Sequence, residues 1–147
     1  MLEVIVKTGK EHMDVAVVHR FLSEDSYWAE GISYELVDRS MANSFCVGAF
    51  VAGEQVGFGR VITDFYTFGW LADFMVLPEF RGNGISKLML AHVFEQAWSK
   101  RLRRKMLNTS DAHGLYRQFE FKELANPGFI LEVYNPEAHL QYKGEDA

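Results

Sequence analysis

The chain has 147 residues, of which 48% are hydrophobic, 14% aromatic and 24% charged, a globular usage that excludes disordered and collagen-like chains. A chain of this length buries roughly 70% of its unfolded surface, so a single domain over 1–147 is expected, with no need of disulfide or metal staples. Fifteen basic against twenty acidic residues leave a formal charge of −5, which argues against general binding to nucleic acid or to anionic membranes.

Residues 1–10 hold neither a basic leader nor a long apolar core, and no apolar run exceeds four residues, against the roughly 18 that a spanning helix needs. A soluble, unprocessed, cytoplasmic chain is the expectation. Residues 2–6 read as a short strand. Beyond the break at Thr8-Gly9-Lys10, the spacing of Met13, Val17, Phe21 and Leu22 predicts a helix over 11–22. A polar stretch over 23–33 carries the aromatic pair Tyr27-Trp28, and 34–41 reads as a second, short helix. Residues 45–51 and 55–63 are strand-like runs joined by Ala52-Gly53-Glu54, which is hairpin chemistry with a glycine in the turn. The one cysteine, Cys46, falls in the first of these runs. It can build neither an internal disulfide nor a zinc site, which fits a reducing compartment and no metal. A third strand is expected over 70–77, ended by Pro78, so that three consecutive strands form an antiparallel meander.

A helix is predicted over 83–99, with Ile85, Leu88, Met89 and Val93 on one face and Leu90, Phe94 and Trp98 beside it. The run Lys100-Arg101-Leu102-Arg103-Arg104-Lys105 at its end reads as a solvated basic face that complements the helix dipole. A strand over 105–109, a short helix over 112–118, a last strand over 129–134 and a polar tail ending in Gly144-Glu145-Asp146 complete the chain. The expected fold class is α/β (α+β), a central mixed, mostly antiparallel sheet flanked by helices on both faces.

Chemistry concentrates in Val76-Leu77-Pro78-Glu79-Phe80-Arg81-Gly82-Asn83-Gly84-Ile85-Ser86, a glycine-containing turn between a strand and the first turn of a long helix. Such a turn collects unpaired N–H groups at the positive end of the helix; Gly82 and Gly84 let the backbone approach an anion, and Arg81 adds a full charge. A phosphate or pyrophosphate fits there. The dinucleotide pattern G-x-G-x-x-G fails at Lys87, and the P-loop pattern with its Lys-Ser/Thr occurs nowhere in the chain. What remains is R-x-x-G-x-S, on Arg81, Gly84 and Ser86.

With that motif the sequence resembles the GNAT N-acetyltransferase superfamily, whose acyl-CoA loop is written Q/R-x-x-G-x-G/A. Downstream, Thr109-x-x-Ala112-x-x-Leu115-Tyr116-x-x-Phe119-Glu120-Phe121 is similar to the family's N-x-x-A-x-x-L-Y-x-x-x-G-F segment, in the family's order and about 30 residues on. Ser86, Thr109 and Glu120 depart from the family's Gly or Ala, Asn and Gly. The resemblance implies that the backbone of Arg81, Gly82, Asn83, Gly84, Ile85 and Ser86 holds the pyrophosphate of acetyl-CoA. It implies that the strand backbone at Phe74, Met75 and Val76 takes the pantetheine arm like an added strand, with the oxyanion donor near Phe74. It also implies that the phenol of Tyr116 protonates the departing thiolate; a phenol with a pKa of ~10 is neutral at pH 7 and ready to donate.

No G-x-S-x-G and no Cys–His pair by spacing is present, so direct attack of a neutral amine on acetyl-CoA is expected, without an acyl-enzyme. Asp73, inside the apolar run 71–76, is the candidate base or amine anchor, since burial there would raise its pKa; a structural hydrogen-bonding role is its alternative, as it is for Asp64. Trp28, Tyr66 and Trp70, with Tyr27, are candidates for an acceptor pocket or for plain loop anchors. His113 reads as solvent-facing and Cys46 as a small buried hydrophobe. The expected function is acetyl transfer to an amine of a small molecule or peptide. The other readings are a non-catalytic CoA-binding regulatory module and, through the basic run, a nucleic-acid-binding domain. Aromatics on an edge strand or in the C-terminal region could support a homodimer.

Overall fold

Ala52 and Gly53 take φ values of 50° and 82°, the two left-handed positions of a type I′ turn, whose twist suits the strands that it joins. β2 (Phe45–Val51) and β3 (Glu54–Thr63) pair antiparallel around it. β3 continues into β4 (Phe68–Val76) through a connection built on Asp64, whose carboxylate accepts from the N–H groups of Tyr66, Thr67 and Phe68 and from the Thr67 hydroxyl. These donors, the Thr67 hydroxyl foremost, hold the Asp64 carboxyl well below the usual carboxylate range. β1 (Ile5–Thr8) adds antiparallel to β2, and β5 (Arg104–Leu107) adds parallel to β4. The order is β1-β2-β3-β4-β5, the mixed, mostly antiparallel sheet that the sequence predicts. The computed structural model describes residues 2–145; Met1, Ala147 and the Asp146 of the polar tail lie outside them.

One face of the sheet is covered by α3 (Ile85–Glu95), whose Ile85, Met89, Leu90 and Val93 are buried against Val47, Ala49, Val56, Val61, Leu71 and Val76. At roughly 1.5–3 kcal/mol for each large apolar side chain, those four helix residues contribute on the order of 6–12 kcal/mol. The other face is covered by α1 (Val15–Arg20) and α2 (Tyr34–Ala42), around Val18, Phe21, Val37, Met41, Cys46, Phe58 and Met75. Asp14 and Ser33 start these two helices, each accepting from the N–H three residues on.

Several elements differ from the sequence reading. The first strand starts at Ile5, because pairing with β2 over Ile5↔Phe50 to Thr8↔Val47 sets its ends. The helix expected over 11–22 is a 3-10 turn at Lys10–His12, a break at Met13, then α1 running into a wider π turn at Phe21–Asp25. The helix expected over 83–99 breaks at Gln96, whose ψ is 135°, and resumes as α4 (Ala97–Arg101). That step sets Trp98 edge-on to Phe45 and Phe65, a tertiary gain that outweighs helix continuity.

The strand expected over 129–134 does not form. After a 3-10 turn at Pro127–Phe129 the chain runs on unpaired with every one of these residues exposed, and a strand without a partner has nothing to hold its shape. The chain is then tied back by α6 (Ala138–Gln141), where His139 Nε2 hydrogen-bonds to the Glu30 carbonyl at 2.8 Å.

Past α5 (His113–Arg117), Glu120 sits at φ 70°, a left-handed conformation that disfavours an L-residue by about 1 kcal/mol relative to glycine. The turn of the resembling family therefore survives its missing glycine at a cost. Replacing Glu120→Gly is expected to stabilise the fold by about 1 kcal/mol and to raise Tm by about 3 °C in a thermal melt; an unchanged or lowered Tm would show that the turn is not strained.

Candidate active site

β3 and β4 keep one register from Thr63↔Gly69 to Arg60↔Ala72 and then slip, so that Phe58 pairs with Met75 and Gly59 alone faces Asp73 and Phe74. Two residues against one make a β-bulge, which bends the strand that carries the extra residue. Asp73 takes φ 58°. Phe74 lies across Gly59, where a Cβ would come within 2.5 Å of the ring. The Asp73 carboxylate is held from two sides: Oδ2 accepts from Arg60 Nε at 2.7 Å and Oδ1 from Trp28 Nε1 at 2.9 Å. Arg60 also donates to Ser44 Oγ at 3.0 Å. The pairing of β4 with β5 runs from Phe68↔Arg104 to Leu71↔Leu107 and stops just before the bulge. Beyond that point, among the described residues, Phe74, Met75 and Val76 have no strand on the β5 side.

β4 hands the chain to a tight loop. The Leu77 N–H bonds to the Val56 carbonyl at 2.8 Å, and Pro78 opens a 3-10 turn over Pro78–Phe80. Arg81 closes it, its N–H on the Pro78 carbonyl at 3.3 Å and its Nε on the Val76 carbonyl at 3.0 Å. The N–H of Arg81 is thus committed inside the loop rather than offered with its neighbours. Gly82 and Gly84 have φ of 82° and 73° with nothing within 4 Å of either missing Cβ, so conformation rather than crowding calls for glycine. Asn83 Nδ2 ties down the crest by donating to the carbonyls of Phe80 and Arg81. No side chain caps α3. Among the described residues, the N–H groups of 82–87 have no acceptor, an arrangement able to bind a phosphate group.

Tyr116 stands on α5, which follows β5. The entry to that helix is fixed by Thr109, whose Oγ1 accepts from the N–H groups of Asp111 and Ala112 at 3.4 and 3.0 Å, so the threonine supplies ties of its own. Half-buried, Tyr116 meets Phe121 edge-on and packs on the same apolar cluster as Phe74, Leu77 and Ile85. Burial, with the charge of Asp111 adding to it, pushes the Tyr116 phenol up to about 12. It stays protonated at any physiological pH.

The structure brings some of the aromatic candidates together and separates another. Tyr27 and Trp28 stack edge-on at 5.0 Å, and the Tyr27 hydroxyl lies 3.1 Å from Ser110 Oγ. The pair therefore bridges from Asp73 to the loop that follows β5. Trp70 pairs with Ile62 across the ladder, on the same side of β4 as Ala72. Tyr66 stands apart, in the connection before β4 begins, with the Arg101 guanidinium 4.4 Å from its ring. Arg60 is the residue that sequence reasoning missed; the signal was a lone arginine inside the apolar run of β3. His113 is exposed. Within the basic run, Lys105 Nζ donates to the Ser99 carbonyl and lies over the Phe94 ring. Cys46 is buried beneath α2, and that burial raises its thiol to about 11. Among the described residues no acid, histidine or cysteine cluster could hold a metal, and no helix is long and apolar enough to cross a membrane.

Residues 42–123 match a family profile described as an acetyltransferase (GNAT) domain. An assigned acetyltransferase of Gibberella zeae is 32% identical over 133 residues, covering 76% of this chain and 75% of the relative. Among solved structures, an assigned GNAT-family acetyltransferase of Xanthomonas campestris pv. campestris superposes with a TM-score of 0.91 at 43% identity, over 95% of this chain and 98% of its own. An assigned acetyltransferase of Clostridium acetobutylicum, solved with acetyl-CoA, has the same fold at a TM-score of 0.66 and 16% identity, over 90% of this chain and 96% of its own.

A thiol with a pKa near 11 is a thiolate about 100-fold less often than an ordinary cysteine, and the thiolate is the reactive form. Cys46 in the folded chain is therefore expected to react with a disulfide reagent at pH 8 at least 100-fold more slowly than in the unfolded chain, followed by absorbance. Rapid labelling of folded protein would reopen a covalent acyl-enzyme.

Proposed function

The chain belongs to the GNAT acetyltransferase family, and from that premise we propose that it moves the acetyl group of acetyl-CoA onto an amine of a small molecule or peptide by direct attack, as one domain. The observation that carries this reading is the run of unpaired N–H groups at 82–87, set where β4, parted from β5, delivers the chain to the head of α3. In this reading those groups and the helix end hold the pyrophosphate, while Arg81 braces the loop through the Val76 carbonyl. The open side of β4 at Phe74, Met75 and Val76 takes the pantetheine amides as an added strand would, and the bulge offers an N–H to the thioester oxygen. The acetyl-CoA of the Clostridium acetobutylicum relative supports the choice of cosubstrate.

The neutral amine nitrogen attacks the carbonyl carbon, the C–S bond breaks, the sulfur leaves with the electron pair, and the proton that the new amide nitrogen must lose passes to solvent water. Tyr116 holds a proton at its phenol oxygen for that sulfur. Against a thiolate of ordinary pKa, near 8.5, full transfer from a phenol at about 12 is uphill by roughly 3 units, about 4–5 kcal/mol. A hydrogen bond donated while the C–S bond stretches is therefore the main contribution of Tyr116. Both oxygens of Asp73 already accept, from Arg60 and Trp28, so we assign it positioning of the bulge in place of the base role. Trp28 and Trp70, on the side of β4 next to Asp73, offer flat surface to an apolar, aromatic or cationic amine.

Tyr116→Phe is expected to lower kcat by about 100-fold in a thiol-release assay over a panel of amines, with the Kd of acetyl-CoA within twofold by calorimetry. An undiminished kcat would remove Tyr116 from the chemistry. Because its pKa is raised to about 12, kcat/KM should show no loss from this group between pH 9 and 10.5, where an ordinary tyrosine would ionise and cease to donate. If millimolar acetyl-CoA leaves Tm unchanged, the cosubstrate itself is wrong.

A further inference from the structure

The loop from Ser26 to Ser33 reaches the site at two points. Trp28 Nε1 donates to Asp73 Oδ1 on the bulge at 2.9 Å, and the Tyr27 hydroxyl lies 3.1 Å from Ser110 Oγ, in the segment that leads to α5. Of these eight residues only Ser26 and Ala29 are buried, so the loop is held by hydrogen bonds more than by packing. Inside it, Ser26 Oγ accepts from the Ala29 N–H, while the N–H groups of Gly31 and Ile32 bond to the carbonyls of Ser23 and Ala29. Those bonds set the shape of the turn. Its place relative to the bulge needs ties from outside.

Two histidines supply them. His19 of α1 meets the Ile32 carbonyl at 3.0 Å and His139 of α6 meets the Glu30 carbonyl at 2.8 Å; in each, Nε2 donates, because a carbonyl oxygen only accepts. The His139 contact is the first of a series along the same stretch of chain. Leu140 Cδ2 stands 3.0 Å from where a Cβ on Gly31 would lie. The Tyr142 hydroxyl donates to Glu35 Oε1 at 3.3 Å, and Glu145 pairs with Arg39 at 3.2 Å. The chain over 138–145 therefore runs along the loop and then along α2. Among the described residues no hydrogen bond or ion pair joins it to the bulge, to the 82–87 loop or to Tyr116, so any effect it has on the site passes through the loop.

We propose that 138–145 is a strap that positions the acceptor side of the site: His139, through the Glu30 carbonyl, holds the loop so that Trp28 stands against Asp73. The inference rests on the reading of the bulge as the seat of the thioester. In that reading the amine reaches the acetyl group beside Trp28. A loop free to swing would then bind the amine weakly, while the N–H groups at 82–87 and the Tyr116 phenol keep their places. The strap thus acts on acceptor binding, and not on the cosubstrate or on the leaving thiol. His139 is a positioning residue, two places along the chain from the indole that it sets.

Hydrogen exchange read by mass spectrometry tests the strap without any turnover. His139→Leu removes the donor and should speed exchange in the peptide spanning 26–33 about fivefold, the worth of one hydrogen bond. Exchange in β2, β3 and β4 should not change, and Tm should stay within about 2 °C. His139→Gln keeps an amide donor for the same carbonyl and should exchange as the wild type does. In the thiol-release assay with the best amine of the panel, His139→Leu should raise the KM of the amine about fivefold, with kcat and the Kd of acetyl-CoA within about twofold. His139→Gln should restore that KM. In a Trp28→Phe background the His139→Leu change should move KM by less than about twofold, because the group that it positions is gone. Unchanged exchange in His139→Leu, an equal effect of the Leu and Gln variants, an unaltered KM, or a KM effect that persists in full without Trp28 would each overturn the proposal. Should the wild type not bind acetyl-CoA, the acetyl-transfer reading fails and takes the acceptor role with it, while exchange still decides whether His139 holds the loop.

Discussion

The site depends on one surplus residue in β4. Without it, Leu71 and Phe74, three apart, would point to opposite faces of the sheet; with the bulge, Leu71, Phe74 and Val76 all meet the α3 cluster while Met75 enters the cluster under α1 and α2. Both cores therefore require the slip in register. It needs an opposing residue without a Cβ, which Gly59 supplies beneath the Phe74 ring, and a residue in the left-handed region, which Asp73 supplies. The strain at Asp73 is offset by one charge-assisted bond from Arg60 and by the Trp28 indole. These partners sit on β3 and on the loop before α2, so three separate parts of the chain converge to hold one bend. The same bend carries β4 away from β5 and leaves its last residues open on that side.

A chain of net charge −5 can serve an anionic cosubstrate because nothing in that site draws on the global balance. Interactions between exposed charges fade within about 8 Å at physiological ionic strength, whereas unpaired N–H groups at a helix end act by contact. The floor of the site is electrically quiet for a related reason: Asp73 and Arg60 are paired at 2.7 Å. Burial then sets the protonation of two acidic groups: Tyr116 and Cys46 are both pushed upward by desolvation, which keeps the phenol and the thiol protonated at neutral pH.

What the sequence made legible was local. The hairpin at Ala52-Gly53, the Arg81-to-Ser86 turn and the apolar face of α3 each rest on spacing within a dozen residues, and each formed where that spacing put it, except that Leu88, expected on the buried face with Ile85, Met89 and Val93, is exposed and leaves its place to Leu90. The bulge was not legible, because it is a relation between two strands; Asp73 alone showed only as an acid in an apolar run, and its meaning required Gly59 and Arg60 across the ladder. The break at Gln96 was hidden for a similar reason, since Trp98 turns toward Phe45 and Phe65, residues distant in the chain. Composition groups Tyr66 with Trp28 and Trp70 but does not say at which end of a strand a loop lies. Thr109 and Glu120 show that a motif can keep its geometry with other residues, one by new hydrogen bonds and one by accepting strain.

The arm at 129–134 marks a sharper limit. Strand propensity is a property of the segment, but whether a strand forms is a property of the edge available to it, so the strand expected over 129–134 did not follow from its composition. Charge decides which edge can serve. Exposed edges are commonly blunted by basic residues, which deter pairing between like edges, and β5 follows that pattern with Arg104 and Lys105. β1, the opposite edge of the sheet, holds only Lys7, and that side chain lies over the Phe50 ring. The basic run thus has a physical role in a chain of acidic balance: it deters pairing at one open edge of the sheet.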